Sequence, residues 1–391
     1  MQRSTDRILT THAGRLSERS QQAELRRATQ SSADPFAATG VSERMAALVR
    51  RQIKVGVDVI SDGELGKFGG FAYYGRRLSG ITTRKVDEGE PLVMSQRTNE
   101  RLEFAEFYAE LQFPREAERM VCTGPLTYTG QAEVQRDISV FNTALQGTRS
   151  TEQFMCVLAP GWIEHSLWNE YYPNDEAFLF AIADAMKHEY RAIVDAGFVL
   201  QLDDPGLPDT YDMIVPAPSL DEYRRFAEIR VEALNHALEG LPEDRVRYHI
   251  CWGSWHGPHT HDLPLRSVVD LMLRIRAGAY SLEAGNPRHE HEWKVWRDVK
   301  LPPGKILIPG VVSHASNVVE HPELVADRII RYAELVGREN VIAGTDCGMG
   351  GRVHPQIGWA KLDALVKGAE LASQQLWGRP AARTREASVS P

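Results

Sequence analysis

Three times along the chain, an amphipathic stretch of helical period ends at a glycine and gives way to a short apolar run closed by polar residues. Ser42 to Val55 reads as a helix, with Ser42 the expected N-cap and Gly56 the stop. Val57-Asp58-Val59-Ile60 follows as a strand, closed by Ser61-Asp62-Gly63-Glu64. In Asn174 to Ala196, Phe178, Ile182, Met186 and Ile193 fall near one helix face. Gly197 ends that helix, Phe198 to Leu202 is the strand, and Asp203-Asp204-Pro205 closes it. Pro322 to Val336, Gly337, Val341-Ile342-Ala343 and then Gly344-Thr345-Asp346-Cys347-Gly348 repeat the pattern.

Alternating helices and strands imply a parallel sheet. Further strands are expected near Ile8–Thr11, Met120–Thr123, Val246–Cys251, Ala279–Glu283 and Ile306–Val312, which with the three above makes eight. Eight strand–helix units predict an α/β fold of the (β/α)8 TIM-barrel type. A doubly wound sheet is the rival. The barrel is favoured because nearly every strand ends in polar residues, and a barrel gathers those ends into one mouth. A ninth apolar run, Phe154–Leu158, is assigned to an excursion after the third strand. No linker divides the chain. Residues 1–378 are expected to form one barrel domain, and 379–391, rich in Arg, Ala and Ser, a disordered tail.

Charge removes some classes of partner. Lys+Arg 45 against Asp+Glu 53 gives a net charge of -8, the wrong sign for a protein that mainly binds nucleic acid. No apolar run reaches the roughly 18–20 residues that span a bilayer, and Met1 to Thr10 lacks a secretory h-region. The expectation is therefore a cytoplasmic protein without a membrane or nucleic-acid partner. Its four cysteines, Cys122, Cys156, Cys251 and Cys347, are then expected as reduced thiols. Oligomeric state is left open.

The chemistry concentrates at strand ends. His249-Ile250-Cys251 places a His and a Cys two apart on a strand, so both point to one face. With Glu283 and Cys347 at later strand ends, they make an imidazole, two thiolates and a carboxylate, a set suited to Zn²⁺. The plainer reading is a buried histidine bonded to a carbonyl beside an inert cysteine. A second group, His256, His259 and His261, with His289 and His291 further on, lies among glycine and proline and reads as solvated loop histidines.

Several motifs, in order, resemble the cobalamin-independent methionine synthase family, in particular its zinc-bearing C-terminal barrel. They are Thr10-Thr11-His12-Ala13-Gly14-Arg15, Gly56 to Glu64, Thr123-Gly124-Pro125, Gln201-Leu202-Asp203-Asp204-Pro205, His249-Ile250-Cys251, Ser281-Leu282-Glu283, Gly310-Val311-Val312-Ser313-His314 and Thr345-Asp346-Cys347-Gly348. The resemblance spans nearly everything from Ile8 to Trp377. It implies zinc held by His249, Cys251, Glu283 and Cys347, and alkyl transfer, foremost of methyl, to a thiol such as homocysteine. The partners would be a small thiol and an alkyl donor such as a methylated folate.

Coordination to zinc deprotonates a thiol and so makes it a nucleophile. His314 is the candidate for moving the proton, with Asp203 to orient or charge it. Either could instead be structural, His314 donating to a carbonyl and Asp203 capping a helix. His12 and Glu64 are expected at the same mouth, Glu64 matching a family position that holds homocysteine's amino group. Asp204 is expected to serve similarly or to cap. The chain departs from the family where Arg15 replaces a serine and at Ala284-Gly285-Asn286. Its length and Asn169-Glu170-Tyr171-Tyr172-Pro173 resemble the short, stand-alone branch that includes epoxyalkane:coenzyme M transferase, in which a zinc-bound thiol opens an epoxide. Arg15 would suit a sulfonate or carboxylate on the thiol. The alternatives to an alkyltransferase are a metal-free barrel related to uroporphyrinogen decarboxylase and a non-enzymatic binding barrel.

Overall fold

The repeated pattern closes on itself. The computed structural model describes residues 1–31, 39–67, 72–87, 98–111 and 118–378. Within them the strands are β1 Leu9–Thr10, β2 Val59–Ser61, β3 Ile81–Lys85, β4 Glu118–Cys122, β5 Glu152–Leu158, β6 Leu167–Asn169, β7 Val199–Asp203, β8 Val246–Ile250, β9 Ala279–Glu283, β10 Ile306–Val312 and β11 Ile342–Thr345. Eight of these pair in the order β1-β11-β10-β9-β8-β7-β5-β2, all parallel. Across the seam, Asp58 N–H donates to the Thr10 carbonyl (3.1 Å) and the Thr11 hydroxyl to the Val59 carbonyl (3.0 Å). The sheet is a (β/α)8 barrel.

One strand assignment is corrected. The third barrel strand is β5, not the Met120–Thr123 run. Phe154 and Cys156 cluster with Val59 and Val199, while Met155 and Val157 join the larger core outside, the two-sided alternation a barrel strand requires. The Met120 run is β4, which pairs antiparallel with β3 and parallel with β6 in a separate three-stranded sheet. The excursion therefore leaves after the second barrel strand, and β6, which follows β5, completes its sheet.

Side chains fill the barrel. The buried Arg247 guanidinium lies 3.8 Å from the Phe154 ring centre and donates to Thr11 Oγ1 (3.0 Å) and the His12 carbonyl (2.7 Å). Outside, the helices follow the expected punctuation. Asp175–Asp195 is capped by the Asn174 side chain, which accepts from Ala177 N–H at 2.8 Å. The first of the three helices is Val41–Val55. Its N-cap is Gly40, at φ 59°, not Ser42, which lies in the first turn. Gly56, at φ 98°, closes it in the left-handed conformation that a side chain would strain. Among the described residues, no helix is long and apolar enough to cross a membrane. The tail at 379–391 lies outside the described residues.

Candidate metal centre and its cavity

At the C-terminal mouth, β8 brings His249 and Cys251 to one face, and the turn after β11 brings Cys347 to meet them. One ligand atom from each lies within 4.8 Å of the others, all three residues being buried. The two sulfurs are 3.7 Å apart. Two thiolates on one tetrahedral zinc, with bonds of about 2.3 Å, would stand about 3.8 Å apart. The His249 ring is held by a 3.0 Å hydrogen bond between Nδ1 and Ser281 Oγ, and its buried Nε2, with no oxygen or nitrogen partner among the described residues, is left to the Cys347 thiol. An imidazole fixed at one nitrogen, with the other left to sulfur, is how a metal-binding histidine is presented. The donor set fits a thiophilic divalent ion.

The electrostatics agree. The hydrogen bond with Cys251 holds Cys347 well below the ordinary thiol range against the opposing effect of burial, and Arg352 reinforces it. The same bond, then burial, pushes Cys251 well above that range. Burial pulls His249 down, but Cys347 and Asp203 outweigh it and raise it.

The fourth expected ligand stands apart. Glu283 falls in an adjoining buried group with His314 and Asp346. Its Oε1 accepts the Trp252 N–H (2.9 Å) and its Oε2 the Asn286 amide. Asp346 in turn accepts from the Ala284 and Gly285 N–H groups at 2.7 and 2.8 Å, which fixes the end of β9 against that of β11.

A cavity of about 410 Å³ opens onto the triad. Of the expected substrate and proton-transfer residues, Arg15, Glu64 and Asp203 line it, as do His249, Cys251 and Cys347. Three others do not. His12 is buried, with Nε2 on Gln52 Oε1 (2.8 Å) and Nδ1 accepting from Gly14 N–H (3.1 Å); burial draws its pKa down to about 4. Asp204 accepts from the Tyr248 hydroxyl (2.7 Å), and burial raises it to about 6. His314 sits in the buried group with Glu283 and Asp346, and burial takes it to about 3, a neutral imidazole. His12 and Asp204 thus do not line the cavity, and Asp204 also accepts from the Leu207 N–H at the start of the following helix.

Two of the five loop histidines, His259 and His289, are corrected from solvated positions; His256 is exposed as expected. Asp262 Oδ2 meets His259 Nδ1 at 2.9 Å and His289 Nε2 at 2.8 Å, and His289 Nδ1 meets Glu292 Oε2 at 3.0 Å. His259 and His289 stack on Trp255 and Trp252. Burial opposes their protonation, but Asp262 prevails and raises both to about 9. His261, facing Glu103, and His291 remain at the surface.

Sequence reasoning missed Lys67, Tyr74, Tyr108, Asp209, Trp255 and Arg352, all on the cavity wall. Lys67 and Arg352 each follow a recognised motif within five residues, at Glu64 and Cys347, and that adjacency was the available signal.

Fold and cluster together define a (β/α)8 barrel with a candidate metal centre at its mouth. Within that class the chain is similar to methionine synthases. No family model matches it. It is 24% identical to a methionine synthase of Thermococcus kodakarensis over 360 residues, covering 86% of this chain and 84% of the relative. It is 27% identical over 176 residues to 2-hydroxypropyl-CoM lyase of Xanthobacter autotrophicus, covering 39% of this chain and 46% of that one. A B12-independent methionine synthase from a Shewanella species, in complex with selenomethionine, shares the fold at a TM-score of 0.72 and 18% identity, covering 95% of this chain and all of that one.

Proposed function

We propose that the chain is a zinc-dependent transferase that moves a methyl group onto a small, homocysteine-like thiol. The observation that supports this best is the His249 Nε2, without an oxygen or nitrogen partner among the described residues, beside two sulfurs 3.7 Å apart that line a cavity of about 410 Å³. His249, Cys251 and Cys347 would hold the metal, with Glu283 as a fourth ligand once it leaves Trp252 and Asn286. Zinc there would deprotonate the acceptor thiol and leave its sulfur nucleophilic.

The chain's own residues do the rest. Ser281 fixes the His249 ring so that Nε2 faces the sulfurs. Asp203 is raised to about 7 by burial and then by Glu64 and Cys347, against His249, so it can exchange a proton near neutrality. His314, kept neutral by burial, is too weak a base to hold that proton; its Nδ1, which has no hydrogen-bond partner among the described residues, is left to accept a hydrogen bond beside Glu283 and Asp346. Arg15 and Glu64 line the acceptor side of the cavity. Tyr74, Tyr108, Trp162 and Trp255 offer flat apolar surface to a donor such as a methylated folate.

Ring-opening of an epoxide by the bound thiol is the second reading. It draws on the similarity to 2-hydroxypropyl-CoM lyase and on Arg15 in the wall. The test is to load the protein with Co²⁺ in place of Zn²⁺, titrate thiols while watching the metal absorption, then add a methyl donor or an epoxide and weigh the product. A thioether carrying the methyl group supports the first reading and a hydroxyalkyl thioether the second. If no thiol alters the metal absorption, both fail.

A further inference from the structure

We infer that Lys67 anchors the acceptor, holding the carboxylate or sulfonate of a short thiol whose sulfur sits at the His249–Cys251–Cys347 triad. This deepens the reading above and rests on it.

Lys67 lines the cavity, yet it is 5% exposed and its Nζ has no hydrogen-bond partner among the described residues. The rings of Tyr73 and Tyr74 lie 6.0 Å away, at the outer limit of a cation–π contact, and offer no hydrogen-bond acceptor. Leaving a buried ammonium without an acceptor is costly, and a fold keeps such a group where a ligand completes it. Burial weakens its charge, but Tyr74, Asp62 and Glu64 more than restore it.

The other cations of the wall are already engaged. Arg15 faces Glu64 at 3.7 Å. Arg352 donates to the carbonyls of Ser254 (3.0 Å) and Gly348 (3.2 Å). Arg101 stacks on Tyr108. Arg15, whose charge the sequence suggested for this role, thus sits at ion-pair distance from a carboxylate although its Nε makes no hydrogen bond, while Lys67 has neither a hydrogen bond nor an ion pair among the described residues.

Position points to the acceptor and away from the donor. Glu64, an electrostatic neighbour of Lys67, lies with Cys156 and Asp203 in one group whose ligand atoms are within 4.8 Å of one another. Asp203 is the register partner of His249. Lys67, Glu64, Asp203 and His249 therefore follow one another along the mouth, and a short chain bridges its ends.

The test uses the Co²⁺-loaded protein and three small thiols, 3-mercaptopropionate, 2-mercaptoethanesulfonate and the neutral 2-mercaptoethanol, with affinities read from the metal absorption. The anionic thiols are expected to bind at least about tenfold more tightly than the neutral one, the scale of one charge-assisted hydrogen bond. Lys67→Met should bring them down to the neutral thiol's affinity, and Lys67→Arg should restore most of the preference. Propionate and ethanesulfonate, which carry no thiol, should perturb tryptophan fluorescence of the metal-free wild type and not of Lys67→Met. If thiols enter the metal shell but Lys67→Met keeps the anion preference, the anchor is overturned and the proposed function stands. If no thiol alters the metal absorption but the thiol-free anions still bind through Lys67, the transferase reading fails and the anion site stands.

Discussion

Asp203 and His249 are register partners on β7 and β8, so their backbones stand one strand spacing, about 4.8 Å, apart and the carboxyl neighbours a candidate metal ligand. Gln201 Nε2 donates to Asp203 Oδ1 at 2.6 Å and also to the Ala13 carbonyl at 3.1 Å, so the carboxyl is held from below. Asp203→Asn keeps the shape and that support but cannot carry the proton. Turnover should fall by about 10²–10⁴, the usual contribution of a placed acid–base group, while metal content stays near wild type. Metal analysis beside steady-state kinetics checks both; loss of metal would mean that Asp203 only steadies the site.

The triad should be tested apart from turnover. Cys251→Ala and Cys347→Ala should each abolish stoichiometric metal binding, and Cys122→Ala, on the excursion sheet, should not. Ser281→Ala removes only the brace on His249 Nδ1, so affinity should fall about 10–100-fold, the range for partners that orient a ligand. Competition with a chromophoric chelator measures all four.

The His259–Asp262–His289 network gives a pH dependence with a definite sign. Both histidines rise from an ordinary 6.5 to about 9 on folding. Their contribution is complete below about pH 6.5 and is lost as pH climbs through about 9. Asp262→Asn should cost about 3–5 kcal/mol near pH 6, as expected for breaking a buried charge network, and much less near pH 10. Urea unfolding of both proteins at the two pH values reads the difference. A constant gap would show that the network is not charged.

Gly310 carries a packing prediction. A Cβ there would lie 2.4 Å from the backbone of Asp346, where the β10–β11 register shifts. Gly310→Ala should cost at least about 1–3 kcal/mol and weaken metal binding, since the displaced strand end leads directly into Cys347. Thermal melts with and without added Zn²⁺ test it; an unchanged melt would mean that the turn yields freely.

The parts of this molecule written in local pattern were legible beforehand. Gly56, Gly197 and Gly337 ended their helices where expected, and β9 and β10 run between the anticipated residues. What failed was decided by distant partners. Met120-Val121-Cys122 and Phe154 to Leu158 are both short apolar runs, and the first ends in a Gly-Pro that mimics a barrel strand end. Which one enters the barrel depends on pairing with β2 and β7, and no window of sequence contains that pairing. The site divides the same way. The spacing in His249-x-Cys251 is local and foretold a shared face. The separation of Glu283 from the triad comes from Trp252 and Asn286 competing for its oxygens. Likewise, His259 and His289 are drawn inward, His289 fully and His259 in part, onto Asp262 between them, a relation invisible in a run of glycine, proline and histidine.

The small sheet of β3, β4 and β6 is sewn on both sides of a barrel stave, since β3 and β4 precede β5 in the chain and β6 follows it. A single cut and splice before β5 could not lift it off as a cap; it would leave Leu167–Asn169 as an orphaned edge still tethered to the stave. Any recombinant exchange of this region between barrels must therefore carry the stave with it, and with the stave come Phe154 and Cys156 in the barrel's own interior.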